Sequence, residues 1–122
     1  ILMGTYYLSM GHGRKYYEKA LKMRTLICDD FNKAFKECDI MLTPTSPILP
    51  FEIGKLQDEF VVKDFTSIFA IPVNLAGLCA MSIPCGYVGG LPAGLQIIGA
   101  RYEDKKMLKA GLAFEGGMKN GI

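Results

Sequence analysis

The fold is decided by residues 80–98, which read AMSIPCGYVGGLPAGLQII. Two short apolar segments, 80–85 and 93–98, flank the glycine-rich residues 86–92. Apolar runs of this length that are bounded by glycines are typical of β-strands, and a connection this short favours antiparallel pairing. We therefore predict an antiparallel hairpin with a rather long loop over 86–92. Pro84 has no backbone N–H, which confines its strand to an edge or a bulge of the sheet.

Upstream of the hairpin the sequence predicts a long helix and one further strand. Residues 14–37 place apolar side chains three or four residues apart, with charged side chains between them, as in an amphipathic helix. Residues 39–43 form a short apolar run that predicts a buried strand. Three prolines follow between residues 44 and 50. Because proline cannot continue a strand ladder, we expect irregular, extended chain as far as Gly54.

A short helix and a final helix complete the predicted elements. The short helix lies within 68–76, with Pro72 interrupting it and Gly77 ending it in a left-handed conformation. The final helix covers 104–115 and is ended by the glycine pair 116–117. The order helix, helix, strand, loop, short helix, hairpin, helix predicts an α/β fold in which helices flank a mixed sheet.

Composition excludes several classes of protein. The chain has 122 residues, of which 50% are apolar and 21% are charged, so it is one globular domain or part of one. Its net charge of +2 comes from interspersed charges, and no basic stripe indicates nucleic-acid binding. No apolar run reaches the ~18 residues of a membrane span, and no basic flank indicates a signal peptide.

The first residues indicate a chain cut within a longer protein. The chain starts at Ile1, and residues 1–8 are mostly apolar with no helix N-cap. We expect the cut to fall inside a buried element. An upstream part would then cover this face and hold most of the chemistry.

Residue types that usually carry catalysis or bind metals are sparse. No Gly-x-Ser-x-Gly motif occurs, and the single histidine, His12, lies between two glycines, so a Ser-His-Asp triad is not expected. The four cysteines form no CxxC pair. We expect these thiols to be reduced and mostly buried, as small apolar side chains rather than disulfides or metal ligands. The sequence thus assigns no catalytic residue and no metal ligand to this chain.

Two polar features are candidates for a site. Arg24 falls within the apolar stripe of the long helix, where an unpaired charge is costly, so it needs an acidic partner or backbone carbonyls. We favour a structural ion pair for Arg24 over recognition of a substrate carboxylate. The hydroxyls of Thr43, Thr45 and Ser46 follow the predicted strand, and loops at strand ends often carry sites in α/β folds. Local turn bonding explains the same hydroxyls, and both interpretations stay open.

Seven segments, taken in order, resemble the C-terminal part of the amidase signature family. They are Tyr16-Tyr17-x-x-Ala20, Arg24-Thr25-Leu26-Ile27, Leu42-Thr43-Pro44-Thr45-Ser46-Pro47, Asp64-Phe65-Thr66, Asn74-Leu75-Ala76-Gly77-Leu78, Ser82-Ile83-Pro84-Cys85-Gly86 and Gly90-Leu91-Pro92-Ala93-Gly94-Leu95-Gln96-Ile97-Ile98-Gly99. The resemblance covers nearly the whole chain, and the order and spacing of the segments make it specific at the family level. Within the family the chain looks most like the amidase component of the glutamyl-tRNA(Gln)/aspartyl-tRNA(Asn) amidotransferases.

The resemblance implies an amide hydrolase with a mixed α/β sheet wrapped by helices. In the family a serine attacks the amide, a second serine in a cis-Ser arrangement activates it, and a lysine tunes the second serine. These groups lie in upstream segments of the family, and no Gly-Gly-Ser-Ser-Gly segment occurs here. We therefore expect residues 1–122 to be a single C-terminal fragment of an amidase domain without its catalytic triad.

The resemblance to the amidotransferase component also implies a substrate, partners and one binding residue. The substrate is glutamine, and Asp64 matches the acidic position that binds its α-ammonium group, although a helix-cap role for Asp64 stays open beside this. The partners are the other subunits of a heteromeric complex, one of which handles tRNA and uses ATP and Mg²⁺. This chain then needs no cofactor of its own. The implied location is the cytoplasm or an organelle, with no membrane contact.

One residue departs from the family pattern. Cys79 stands where the family usually has proline, in the turn after Leu78. Because proline fixes φ, we expect the backbone of that turn to be less restrained here, with no effect on the strand that follows.

Two other functions stay open beside the ammonia-releasing component. One is a general amidase that acts on acyl or aryl amides. The other is a non-catalytic module that binds partners through an uncovered apolar face, since a large exposed apolar patch usually marks an interaction surface.

Overall fold

Helices pack on a three-stranded sheet in the described part of the chain, which comprises residues 5, 6, 9, 13–54 and 65–119 of a computed structural model. The elements are α1 (Gly13–Ala34), β1 (Ile40–Pro44), α2 (Ala70–Ala76), β2 (Cys79–Val88), β3 (Leu91–Gly99) and α3 (Asp104–Lys119). The strand order is β1-β3-β2, and both pairings are antiparallel. The predicted α/β class is confirmed, while the described strands show only antiparallel pairing and not the parallel pairs of the predicted mixed sheet. No helix among these residues has the length and apolar character needed to cross a bilayer.

β2 and β3 form the predicted hairpin, but the turn is tighter than expected. Only Gly89 and Gly90 separate the strands, and their φ angles are 58° and 80°. Positive φ at both central residues is what a two-residue hairpin turn of type I′ requires. The predicted loop over 86–92 is therefore wrong, because both strands extend into it and pair as far as Val88 and Leu91.

The prediction for Pro84 is confirmed, because it lies at an irregularity of an edge strand. Among the described strands β2 pairs with β3 alone, and the register shifts between Pro84 and Gly86. Cys85 is the extra residue at this bulge, and Gly86 has a φ of 126°, which side chains rarely tolerate.

β1 is an edge strand rather than the fully buried strand that its apolar run predicts. It pairs with β3 from Ile40 opposite Gly99 to Pro44 opposite Leu95. Leu42 is 56% exposed, since α3 makes most of its contacts with β2 and β3. The irregular chain predicted after β1 is confirmed.

The core lies between one face of the sheet and α3. Ile83, Ile97 and Met107 are buried there. A Cβ on Gly111 would lie 2.8 Å from the Met81 sulfur, so a glycine at this position allows α3 to approach the sheet closely. At the first turn of α3, Lys106 contacts acidic side chains, and a hydrogen bond to the carboxylate of Asp39 raises the pKa of its ammonium group.

The prediction that Gly116 and Gly117 end α3 is wrong, because the helix continues to Lys119. Neither glycine has a positive φ. Glycine ends a helix where it adopts the left-handed conformation; elsewhere in a helix it only lowers stability, by about 1 kcal/mol.

α2 faces the opposite side of the sheet and ends as predicted at a left-handed glycine. Gly77 has a φ of 66°, its N–H donates to the carbonyl of Asn74, and the next N–H donates to Val73. The predicted interruption by Pro72 is wrong. Pro72 is the third residue of α2, where the backbone N–H has no partner within the helix.

α1 follows the predicted range closely but leaves much of its apolar stripe uncovered. It begins at Gly13 and ends at Ala34, and a turn occupies the last three residues of the range 14–37. It packs against α2, yet Tyr17 is 51% exposed and Leu21 is 42% exposed. The expected buried element at the start of the chain lies mostly outside the described residues.

The four cysteines are free, but the prediction that most of them are buried is wrong. Cys28, Cys79 and Cys85 are half-buried, while Cys38 is exposed. The thiol of Cys79 lies 3.1 Å from the carbonyl oxygen of Ala100 and tethers the start of β2 to the end of β3.

Candidate functional site

A groove of about 680 Å³ opens where β1 ends. Its walls are the irregular segment 44–51, the first residues of β3, the bulge residue Cys85 and the side chain of Thr66. Most of the lining side chains are apolar, including Leu42, Ile48 and Phe51. The groove is therefore shaped to hold a small, partly apolar molecule, with polar groups at a few points.

Thr43, Thr45 and Ser46, whose hydroxyls were candidates for a site, all line this groove. Ser46 Oγ accepts a bond from the backbone N–H of Ile48 at 3.4 Å, which is the local turn bonding that the sequence allowed. Thr45 instead shares a hydrogen bond of 2.7 Å with Ser82 Oγ on β2. The three hydroxyls therefore have different roles, and the threonines bond to other strands of the sheet.

Gly94 brings the segment after β1 into direct contact with β3. Its carbonyl accepts a bond from the N–H of Thr45 at 3.0 Å. A Cβ at Gly94 would lie only 2.8 Å from Thr45 Oγ1 and 3.2 Å from Ser82 Oγ, so no larger residue fits without displacing this pair.

Gln96 lies behind the groove, and sequence reasoning did not single it out. Its side chain is only 7% exposed, in the central strand of the sheet. Its amide nitrogen donates to Thr43 Oγ1 at 3.0 Å and to the carbonyl of Phe69 at 3.2 Å. The available signal was an amide side chain within the otherwise apolar segment 93–98.

Arg24 belongs to α1, and its side chain contacts the C-terminal end of α2. Its Nε donates to the carbonyl of Leu75 at 2.7 Å, so the partner that the structure gives it is a backbone carbonyl and not the acidic residue of the favoured ion pair. Arg101, which the sequence analysis did not mention, donates to the carbonyl of Ala76 at the same distance. The last carbonyls of a helix lack partners within it and form its negative end, so two guanidinium groups stabilise α2 there.

Asp64, the predicted substrate-binding residue, lies outside the described residues. Thr66, two positions later in the same motif, lines the groove. Among the described side chains no group of three or more His, Cys, Asp or Glu is arranged to hold a metal ion.

The match to a family covers most of the chain. Residues 1–108 match the Amidase family. The chain belongs to the amidase family. This amidase chain is 49% identical over 115 residues to the A subunit of glutamyl-tRNA(Gln) amidotransferase from Thermoanaerobacter pseudethanolicus, which covers 94% of the chain and 24% of the relative. It is 49% identical over 111 residues to the same subunit of Archaeoglobus fulgidus. The amidase chain thus spans about a quarter of the length of the curated relatives it matches.

Solved structures agree with this assignment. The amidase chain superposes on the A subunit of glutamyl-tRNA(Gln) amidotransferase from Thermotoga maritima with a TM-score of 0.75 and 42% identity, over 87% of this chain and 23% of that one. A bacterial aryl acylamidase of the amidase signature family gives a TM-score of 0.60 and 29% identity, over 75% and 21% of the two chains. The predicted amidase signature fold is therefore confirmed.

Proposed function

We propose that these residues form part of the glutamine-hydrolysing component of an amidotransferase, which releases ammonia to amidate misacylated Glu-tRNA(Gln) or Asp-tRNA(Asn). The observation that carries the proposal is the 49% identity to such a component over 94% of the chain. The identity to the aryl acylamidase is 29%. In this proposal the chain is the C-terminal part of one amidase domain, and the Ser-cis-Ser-Lys triad belongs to the rest of that domain.

The groove at the end of β1 is then one wall of the glutamine pocket. Its apolar side chains exclude water from the methylene groups of the substrate, and the hydroxyls of Thr43 and Thr45 stand at its edge. Asp64 binds the α-ammonium group, because a carboxylate gives an ammonium ion a charge-assisted hydrogen bond. The lining position of Thr66, in the same motif, supports this role.

The proposal includes partners and a location. The other subunits of the complex bind the tRNA and use ATP and Mg²⁺ to activate its acyl group, while the glutamine-hydrolysing component supplies ammonia. The complex would work in the cytoplasm or in an organelle.

A general amidase is the second candidate. The groove favours it in one respect, because most of its lining is apolar and would also accept an acyl or aryl group. The two candidates differ in whether the pocket recognises a charged α-ammonium group.

The test compares substrates on the intact enzyme subunit that carries these residues. Ammonia release from glutamine is measured beside the hydrolysis of an aryl amide such as an acetanilide. We expect a higher kcat/KM for glutamine. A higher kcat/KM for the aryl amide, with no ammonia from glutamine, would contradict the proposal and support the second candidate.

Substitution of Asp64 tests the ammonium-binding role directly. We expect Asp64→Asn to raise the KM for glutamine about 30-fold, since a hydrogen bond to a charged group contributes about 2 kcal/mol. Glutaramate, which lacks the α-ammonium group, should be hydrolysed equally by both forms. Asp58→Asn makes the same chemical change six residues earlier and serves as the control. An unchanged KM in Asp64→Asn would remove this residue from the pocket.

A further inference from the structure

Gln96 connects two segments that are far apart in the chain. One amide nitrogen donates both to Thr43 at the end of β1 and to the carbonyl of Phe69, just before α2. The two partners are 53 and 27 residues away in sequence. A single buried side chain therefore sets the distance between these segments.

The sheet itself fixes the position of Gln96. Its strand is central, and its register partners are Thr43 on β1 and Ser82 on β2. Backbone pairing on both sides leaves the strand little freedom to move, so the amide transmits the geometry of the sheet to whatever it binds.

Both segments that Gln96 holds contribute to the groove, whereas Gln96 does not line it. Thr43 lines the groove from β1, and Thr66 lines it from the segment that ends at Phe69. Gln96 lines a smaller hollow on the α2 side of the sheet, together with Asn74. Gln96 therefore contacts residues that line the groove without lining it itself.

An amide at this position has an energetic cost that calls for a reason. Burial of an amide is unfavourable unless its hydrogen bonds are made, and Ile97 and Ile98 show that this part of β3 is otherwise a packed apolar strand. An apolar residue would satisfy packing but would leave the carbonyl of Phe69 without this donor. The side chain is thus explained by the connection it makes rather than by packing.

We propose that Gln96 is a positioning residue, which holds the end of β1 and the segment 65–69 at a fixed spacing and so determines how tightly the groove binds its amide substrate. It acts through Thr43 and Phe69 and does not contact the substrate. The inference rests on the proposed function for the identity of that substrate, glutamine.

The test is the steady-state kinetics of Gln96→Met in the intact enzyme subunit. Methionine keeps the length and apolar fit of the side chain but donates no hydrogen bond. We expect the KM for glutamine to rise by about tenfold, since two hydrogen bonds of about 1 kcal/mol are lost and part of that loss falls on binding. The kcat should stay within about twofold, because no group near the reacting atoms has changed.

Two further variants separate positioning from stability. Ile98→Val removes a buried methylene two residues after Gln96 in the same strand. We expect it to lower the Tm without changing the KM. Gln96→Asn keeps an amide on a side chain one methylene shorter, which cannot reach both Thr43 and Phe69, so it should also raise the KM. It decides the question if Gln96→Met does not fold.

The outcomes distinguish this inference from the proposed function. An unchanged KM in the folded Gln96→Met variant, or an equal rise in Ile98→Val, would overturn the positioning role. If the unsubstituted enzyme hydrolyses an aryl amide and not glutamine, the proposed function fails. The same KM comparison on that aryl amide then still tests Gln96.

Discussion

At the scale of single residues, the shape of the groove depends on a glycine, Gly94, which has no side chain. Gly94 leaves space in which Thr45 and Ser82 form their 2.7 Å hydrogen bond. We expect Gly94→Ala to displace Thr45, lower the free energy of unfolding by about 1–3 kcal/mol and raise the KM for glutamine. Denaturant unfolding and steady-state kinetics of the intact enzyme subunit measure both effects.

Gly116 provides the matched control for this substitution. It lies in α3, and a Cβ there would meet nothing within 4 Å. Gly116→Ala should therefore stabilise the protein by about 0.4–1 kcal/mol and leave the KM unchanged. Equal effects of the two substitutions would contradict the steric account of Gly94.

Arg24 offers a test of a structural role against a substrate-binding one. Its guanidinium bonds the carbonyl of Leu75, so we expect Arg24→Met to lower the free energy of unfolding by about 1–2 kcal/mol. Because this contact lies on α2, the KM for glutamine should not change. Lys22→Met, at an exposed position of the same helix, is the control for loss of a positive charge. A large rise in KM without loss of stability would indicate that Arg24 reads a substrate carboxylate.

The structural roles of some residues could be predicted from the sequence, and those of others could not. Gly77 and Pro84 were predictable, because their backbone chemistry allows few places in a fold. Gln96 and Arg101 were not, since each acts through a partner that only the folded chain brings close. Hydrogen bonds between segments this far apart in sequence leave no local pattern to recognise.

At the scale of elements, the hairpin turn shows how much two residues decide. Gly89 and Gly90 both need positive φ, which asparagine tolerates and β-branched residues do not. We expect Gly89→Asn to be nearly neutral and Gly89→Val to lower the free energy of unfolding by about 1–2 kcal/mol. The two variants test backbone tolerance at one exposed position, and denaturant unfolding measures the difference. Equal stability of the two would contradict the assigned turn.

The existence and type of each element followed from the sequence, whereas boundaries and coverage did not. Apolar spacing identified α1, the hairpin and α3. The apolar run 39–43 predicted that β1 is buried, yet Leu42 in this strand is exposed. A strand's own sequence shows that it can be buried but not which neighbour covers it, since that depends on packing between distant elements.

At the scale of the whole molecule, large apolar side chains remain exposed on several sides. Tyr16 and Leu26 on α1 and Leu108 and Leu112 on α3 are each more than half exposed. The curated relatives are about four times as long as this chain, so in our proposal the rest of the amidase domain covers these faces. Ordered motifs made the family recognisable from sequence, but how the chain packs in the intact enzyme depends on residues outside it.

The exposed apolar faces predict the association state of the isolated chain. We expect the 122-residue chain to self-associate in sedimentation experiments, because exposed apolar patches favour association, whereas the intact enzyme should not do so through these faces. A monodisperse, monomeric 122-residue chain would count against the proposed coverage.

The most direct test of the account is ammonia release from glutamine by the isolated 122-residue chain beside the intact enzyme. We predict ammonia release by the intact enzyme and none by the isolated chain, because in our proposal the chain provides a wall of the pocket and not the attacking serine. Release of ammonia by the purified chain alone would contradict the account.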